Sequence, residues 1–290
     1  MGKRRGLRAA AIAASGGLLG GAAAAVAFGT VLWHRATATS VKRLRSASDV
    51  PQPAAFSPRE LRELPDPVAS YLTFALTAGQ PFFRRARVEQ AGRFRIGDRN
   101  APWRSFTAVE HFTTTPPGFV WDARIRMAPL LVVRVRDGYV AGSGAVLGKL
   151  AALITVADQR GRPGLNAGAL HRYLAEAVWF PTALLPRAGV VWDAVDARTA
   201  RATVSDRATS VSLDFQFGPK GEIVSAYTPT RYREVNGADV PTPWRCEYRR
   251  YAPVHGVMVP LEGEVAWEVP EGRLPYWHGR VLDVEYDGGL

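Results

Sequence analysis

Beyond residue 85 apolar and polar side chains alternate with a period of two, the spacing of strands with one buried face. Val88 to Ile96, Trp103 to Phe112 and Phe119 to Met127 each follow it. Turn residues separate them, first Gly97-Asp98-Arg99-Asn100, then Pro116-Pro117-Gly118. Leu130 to Arg136 and Tyr139 to Gly142 flank Asp137-Gly138, which reads as a two-residue hairpin turn. Strands resume at Val190, with turns at Pro219-Lys220-Gly221 and Asn236-Gly237, and end with Val257 to Val269 and Trp277 to Tyr286. Four stretches read as helical instead. Ser57-Pro58-Arg59-Glu60 is a capping box. Asp66-Pro67 opens a helix that presents Val68, Tyr71, Leu72, Ala75 and Leu76 on one face and stops at Gly79. Val146 to Ala157 is an apolar helix, and Ala167 to Phe180 is a stronger one capped by Asn166. The pattern predicts a mainly β (α+β) fold: one strongly curved antiparallel sheet or half-barrel of about ten or eleven strands, with inserted lid helices on one face.

The first 57 residues break the pattern. Residues 9 to 33 contain no charged side chain. At about 1.5 Å per residue such a run is long enough to cross a bilayer. Lys3, Arg4, Arg5 and Arg8 precede it; Arg35, Lys42, Arg43 and Arg45 follow. Two readings stand. As a retained signal anchor, the segment ends with Trp33 at the membrane interface. As a cleaved export signal, Arg4-Arg5-Gly6-Leu7-Arg8 loosely resembles a twin-arginine motif and Ala36-Thr37-Ala38 is the cleavage site. The basic N-terminal flank places the domain outside the cytoplasm of a membrane-anchored chain. Three parts result: a basic flank and transmembrane anchor over 1–35, a polar linker over 36–57, and a β-rich globular domain over 58–290.

Charge then changes little. Residues 1 to 48 hold eight Lys or Arg and no acid, so the formal charge of +11 leaves +3 for the rest. That distribution points to lipid headgroups and away from nucleic acid. Cys246 is the single cysteine, so there is neither an intramolecular disulfide nor a cysteine-based metal site. The five histidines are scattered, with no pair at metal spacing, and no metal is expected. Gly142-Ser143-Gly144-Ala145-Val146-Leu147-Gly148 has its third glycine one position late for a dinucleotide loop, and no cofactor is expected.

The densest chemistry lies in residues 171 to 186. Leu170, Leu174, Ala177 and Val178 make one stripe; Arg172, Glu176 and Trp179 line another. One reading is a solvated Arg–Glu pair beside a core aromatic. The other is a helix closing an apolar cavity with Arg172 and Glu176 as polar points, and ligand contacts from Trp121, Arg172, Tyr173, Glu176, Trp179, Phe180 and Leu184.

The blocks LPDPVASYL (64–72), PPGFVWDARIRMAPL (116–130), HRYLAEAVWFPTALLP (171–186) and TPW (242–244), in this order, resemble a bacterial domain family of unknown function over residues 60–288. The resemblance implies no substrate and no catalytic residue. The order of elements is also similar to the half-barrel of lipoprotein carriers of the LolA, LolB and mycobacterial LppX type, a likeness of fold alone. Three functions are compatible with these features. The first is a membrane-tethered envelope protein that binds a lipid or other hydrophobic ligand. The second is a hydrolase-type enzyme using Asp122, Asp137 or Glu176 beside His171. The third is a structural or assembly module of the envelope.

Overall fold

The computed structural model describes residues 2–48, 55–235 and 237–287, with side chains from residue 20 onward. A long helix, α1 (Gly2–Ala47), is followed by the capping-box turn at Pro58–Leu61 and a short helix, α2 (Asp66–Ala75). Six strands come next: β1 (Arg85–Arg95), β2 (Trp103–Thr113), β3 (Gly118–Ala128), β4 (Leu131–Val140), β5 (Ser143–Leu150) and β6 (Ile154–Arg160). Helix α3 (Pro163–Glu176) and three single 3₁₀ turns to Ala188 interrupt the strands. Seven more complete the chain: β7 (Val190–Asp196), β8 (Thr199–Asp206), β9 (Thr209–Phe217), β10 (Ile223–Val235), β11 (Ala238–Val254), β12 (Val257–Val269) and β13 (Gly272–Tyr286).

All thirteen strands form one antiparallel sheet in the order β6-β5-β4-β3-β2-β1-β13-β12-β11-β10-β9-β8-β7. Two meanders are thus joined where β1 pairs with β13, Val88 opposite Val284. The sheet is open, because β6 and β7 form no ladder with each other. It is also strongly curled. Helix α3 touches β3, β4 and β5 on one wing and β9 and β10 on the other. Beside its start, Arg162 pairs with Glu234 at the end of β10, 3.1 Å away. A twist of about 20–25° per strand, summed over so many strands, bends an open sheet around its inner helices in this way.

Alternation assigns the faces. Phe106, Ala108 and Phe112 of β2 and Phe119, Trp121 and Ala123 of β3 are buried in the concave core with α2 and α3. The opposite phase carries α1. Trp33, only 3% exposed, donates its indole N–H to Asp122 at 2.9 Å and lies 4.8 Å beneath the Arg136 guanidinium. Arg136 also donates to Thr37, at 3.0 Å. Leu44 is buried against Gly118, where a Cβ would come within 2.7 Å of it. Helices therefore cover both faces, not one.

Other expectations shift too. Helix α1 continues through position 47, so the first part of the expected polar linker is helical and docked. Trp33 meets the sheet instead of a lipid interface, and Ala36-Thr37-Ala38 lies inside the helix. Among the described residues no helix is long and apolar enough to cross a membrane. Residues 9–19 of the charge-free run lie outside those whose side chains are described. The expected helix over 146–157 is instead the β5–β6 hairpin, its turn made by Ala151 and Ala152 at φ of 50° and 60°. Short apolar runs carry no period that separates helix from strand, and this hairpin takes the strand count past eleven. Asp137-Gly138 sits inside β4, and the chain turns four residues later at Ala141-Gly142, φ 53° and 82°. Helix α3 starts at Pro163, with Arg162 in the N-cap position and no side-chain cap. Asn166 is therefore not its cap; its side chain accepts from the Gly144 N–H at 2.8 Å and ties the helix to β5.

Trp33→Ala removes the anchor of α1 on the sheet and leaves the concave core intact. Trypsin is expected to cut at Arg35, Lys42 and Arg43 markedly faster in this variant, with little change in the melting temperature of the β domain. Unchanged cleavage rates would show that the docking does not depend on this ring.

Candidate functional site

Three adjacent strands place one row of side chains across the concave face. Glu110 of β2 stands opposite Trp121 of β3, and Trp121 opposite Asp137 of β4. Arg172 descends from α3 into this row. Its guanidinium donates to Glu110 at 2.8 Å, to Asp137 at 2.8 Å and to Glu176, one helical turn on, at 2.7 Å. The same group lies 4.8 Å from the Phe119 ring and 5.0 Å from the Trp121 ring. Glu110 is wholly buried and takes a further hydrogen bond from Gln90 at 3.0 Å; Gln90 in turn accepts from the Trp121 indole at 2.9 Å.

Burial pushes the Glu110 carboxyl well above the usual carboxylate range. Arg172 opposes that shift, while the negative charges of Glu176 and Asp137 add to it. Burial raises Glu176 as well, against the pull of Arg172. Both carboxyl groups, held together on one guanidinium away from water, hold a proton more readily than a solvated carboxylate does. The cluster thus has one cation at its centre, held by hydrogen bonds on three sides.

Beside it lies a cavity of about 260 Å³. Its wall is aromatic: Trp121, Trp179, Trp244, Trp267, Tyr276 and Trp277. Trp277 lies flat on the sheet because Gly279 carries no side chain; a Cβ there would sit 2.0 Å from the ring. Trp244 donates to the Tyr276 hydroxyl at 2.9 Å, and Trp179 to the Pro260 carbonyl at 3.2 Å. Glu176 lines the cavity, and its Oε2 is buried with no hydrogen-bond partner among the described residues. A second guanidinium also reaches the wall. Arg231 is held between Trp244, at 4.6 Å, and Trp267, at 5.1 Å. It donates from Nε to the Gly168 carbonyl at 3.2 Å and forms no ion pair among the described residues. Arg172 is saturated with carboxylates; among the described residues neither terminal nitrogen of Arg231 has a hydrogen-bond partner.

Of the seven residues proposed from sequence, Trp121, Arg172, Glu176 and Trp179 line this cavity. Tyr173, Phe180 and Leu184 are core residues: Tyr173 donates to the Thr114 carbonyl at 3.3 Å, Phe180 packs on Phe112 at 4.5 Å, and Leu184 is fully buried. The Arg–Glu pair is therefore not solvated. Of the groups suggested for hydrolysis, Asp137 and Glu176 are brought together on Arg172, Asp122 lies on the other face with Trp33, and His171 is buried outside the cavity wall. Sequence reasoning missed Glu110, Gln90 and Arg231. Glu110 had a signal, since it occupies the inward phase of Phe106, Ala108 and Phe112. An acid in the buried phase of a strand needs a cationic or protonated partner. Arg231 had none, because the partners that hold it come from β11, β12 and α3.

The model of a family of unknown function, DUF6920, matches residues 62–286. The chain belongs to that family. No curated protein matches it. Among solved structures, a LolA superfamily protein from Nitrosomonas europaea is similar at 10% identity, covering 85% of this chain and 92% of that one, with a TM-score of 0.30. A β-barrel-like protein of the DUF1849 domain from Brucella abortus is similar at 10% identity over 71% of this chain and 98% of that one, with a TM-score of 0.29.

Two stability predictions follow from this member of DUF6920. Arg172→Met leaves buried carboxylates without their cation and is expected to cost about 3–5 kcal/mol. Glu110→Gln, which keeps a neutral polar group there, is expected to cost clearly less; chemical denaturation of both variants checks the order. The second concerns His171. Burial and the nearby Arg231 charge push its imidazole down to about 4. The unfolded chain takes up this proton near the ordinary value of about 6.5, so folding stability falls as pH drops through the window from 6.5 to 4. The loss attributable to this residue is about 3 kcal/mol at the acid end. His171→Gln is expected to flatten that part of the pH–stability curve; a curve of unchanged slope would remove the assignment.

Proposed function

We propose that this domain binds a hydrophobic ligand carrying one acidic group, and does so while held at a membrane by α1. The observation that carries the first half is the aromatic cavity beside the carboxylate-saturated Arg172. Its volume is near the lower end of small-molecule pockets, about 300–1,000 Å³. It suits a single slender apolar chain or ring system. Arg231 supplies the polar contact: a guanidinium whose terminal nitrogens have no partner among the described residues fits a carboxylate or phosphate head in the paired geometry that Arg favours. Support for the second half is the charge-free run over 9–33 with basic residues on either side. On this reading the domain faces out of the cytoplasm, as the basic N-terminal flank favours.

Organic extraction of the purified full-length protein, followed by mass spectrometry, is expected to recover a hydrophobe in near-stoichiometric amount. Titration with decanoate, decanol and decylamine, followed by tryptophan fluorescence, reads the polar contact. Decanoate is expected to bind about tenfold more tightly than decanol, the worth of a charge-assisted hydrogen bond. Arg231→Gln is expected to bring the two together. Binding of none of the three, with nothing extracted, would sink the ligand reading. Preference for decylamine would instead assign the polar contact to Glu176.

A further inference from the structure

More than half of the large apolar side chains that face water among the described residues lie on two neighbouring hairpin tips and the turn of α1 beside them. The β3–β4 turn exposes Leu130, 98% accessible, and Leu131. The β5–β6 turn exposes Leu153 and, just inside β6, Ile154 (62%) and Val156 (56%). The two turns are side by side, since the Ala151 N–H bonds to the Val132 carbonyl at 2.8 Å. Helix α1 passes against the second turn at Gly29, where a Cβ would come within 2.7 Å of Leu153 and 2.8 Å of the Ala152 carbonyl. The adjoining turn of α1 exposes Phe28, Val31 and Leu32. From Gly29 the helix runs down the sheet to Leu44, so its N-terminal half projects beyond the two hairpin tips.

The charge within the two tip segments has one sign. Residues 123–135 carry Arg124, Arg126 and Arg134; residues 145–157 carry Lys149; neither segment contains an acid. Arg124 and Arg126 are exposed on the helix side of the sheet. Bulky apolar side chains at a tip with bases behind them match the two layers of a bilayer surface, acyl chains beneath anionic headgroups. A contiguous apolar cluster of this kind marks an interaction site.

We propose that the β3–β4 and β5–β6 tips insert into the surface of an anionic lipid bilayer, beside the point where α1 enters it. The occupant is a lipid surface because the charge-free helix leaves the domain at these same tips, and because the tip segments 123–135 and 145–157 carry bases and no acid. The inference rests on the membrane half of the proposed function and is independent of the ligand. Two hairpins and one helix then make a three-point contact that fixes the orientation of the sheet on the membrane. Val135 and Val146, on the same two hairpins, line the cavity, so the ligand site lies on the elements that touch lipid.

Spin labels test this in the full chain. With Cys246→Ala to remove the native thiol, single cysteines are placed at the tips, Leu130→Cys and Ile154→Cys, and at exposed apolar positions elsewhere, Val195→Cys and Leu282→Cys. The protein is reconstituted into vesicles of phosphatidylglycerol and phosphatidylcholine. Vesicle flotation first reports whether the chain is held by the membrane. The ratio of collision with oxygen to collision with a water-borne nickel complex then reports depth. The ratio is expected to be severalfold higher at 130 and 154 than at 195 and 282, and to fall at the tips when Arg126→Glu and Lys149→Glu are added. Failure to float would overturn the membrane half of the proposed function. Flotation with equal ratios at all four positions would leave that half standing and overturn the tip contact. Spin–spin broadening at 130 and 154 in detergent, with water-like ratios in vesicles, would assign the tips to a second copy of the chain and overturn the proposal.

Discussion

One guanidinium organises the interior. Arg172 is placed where three strands and one helix each contribute an acid or a ring. Burying two or three carboxylates in an aromatic core is prohibitive without a cation, and burying an arginine there is as costly without acids. The requirement is mutual and geometrically strict. It fixes the depth at which α3 sits in the sheet and the relative register of β2, β3 and β4. A one-residue slip of β2 would turn Glu110 outward and leave Arg172 short of a partner.

The cavity follows from that placement. With α3 held against β3 and β4 by Arg172, and against β10 by the Arg231 bond to Gly168, the helix bridges the curl at two places. The space between those bridges is walled by rings too stiff to collapse into it. Aromatic side chains have few torsions to adjust, and here several are pinned by their N–H groups to fixed acceptors. An opening bounded by pinned rings keeps its shape when empty, which is the property a binding site needs to avoid reorganisation on filling.

The sequence showed most of the sheet because strand alternation is a local signal, repeated with period two and punctuated by turn residues. It failed where locality fails. The apolar stretch around Leu147 and Leu150 carries no alternation, and only its neighbours in the sheet make it strand. Asp137-Gly138 has the composition of a turn, yet Asp137 is drawn into β4 by the charge of Arg172, thirty-five residues away. Arg172, Glu176, Trp121 and Trp179 could be grouped in advance because helix spacing and ring content mark them. Arg231 could not, since an arginine in a polar strand end looks solvated until β11 and β12 fold over it.

The docking of α1 has a mechanical consequence. A helix that is continuous from Gly2 to Ala47, and clamped along its second half by Trp33, Thr37 and Leu44, has no joint between its first half and the sheet. The part before Gly29, residues 2 to 28, is about 40 Å long at the usual helical rise. Whatever holds that part also sets the direction in which the domain points. The domain rides on a rigid mast, so a tilt of the mast tilts the whole sheet by the same angle, and the concave face has a fixed bearing instead of a range of them.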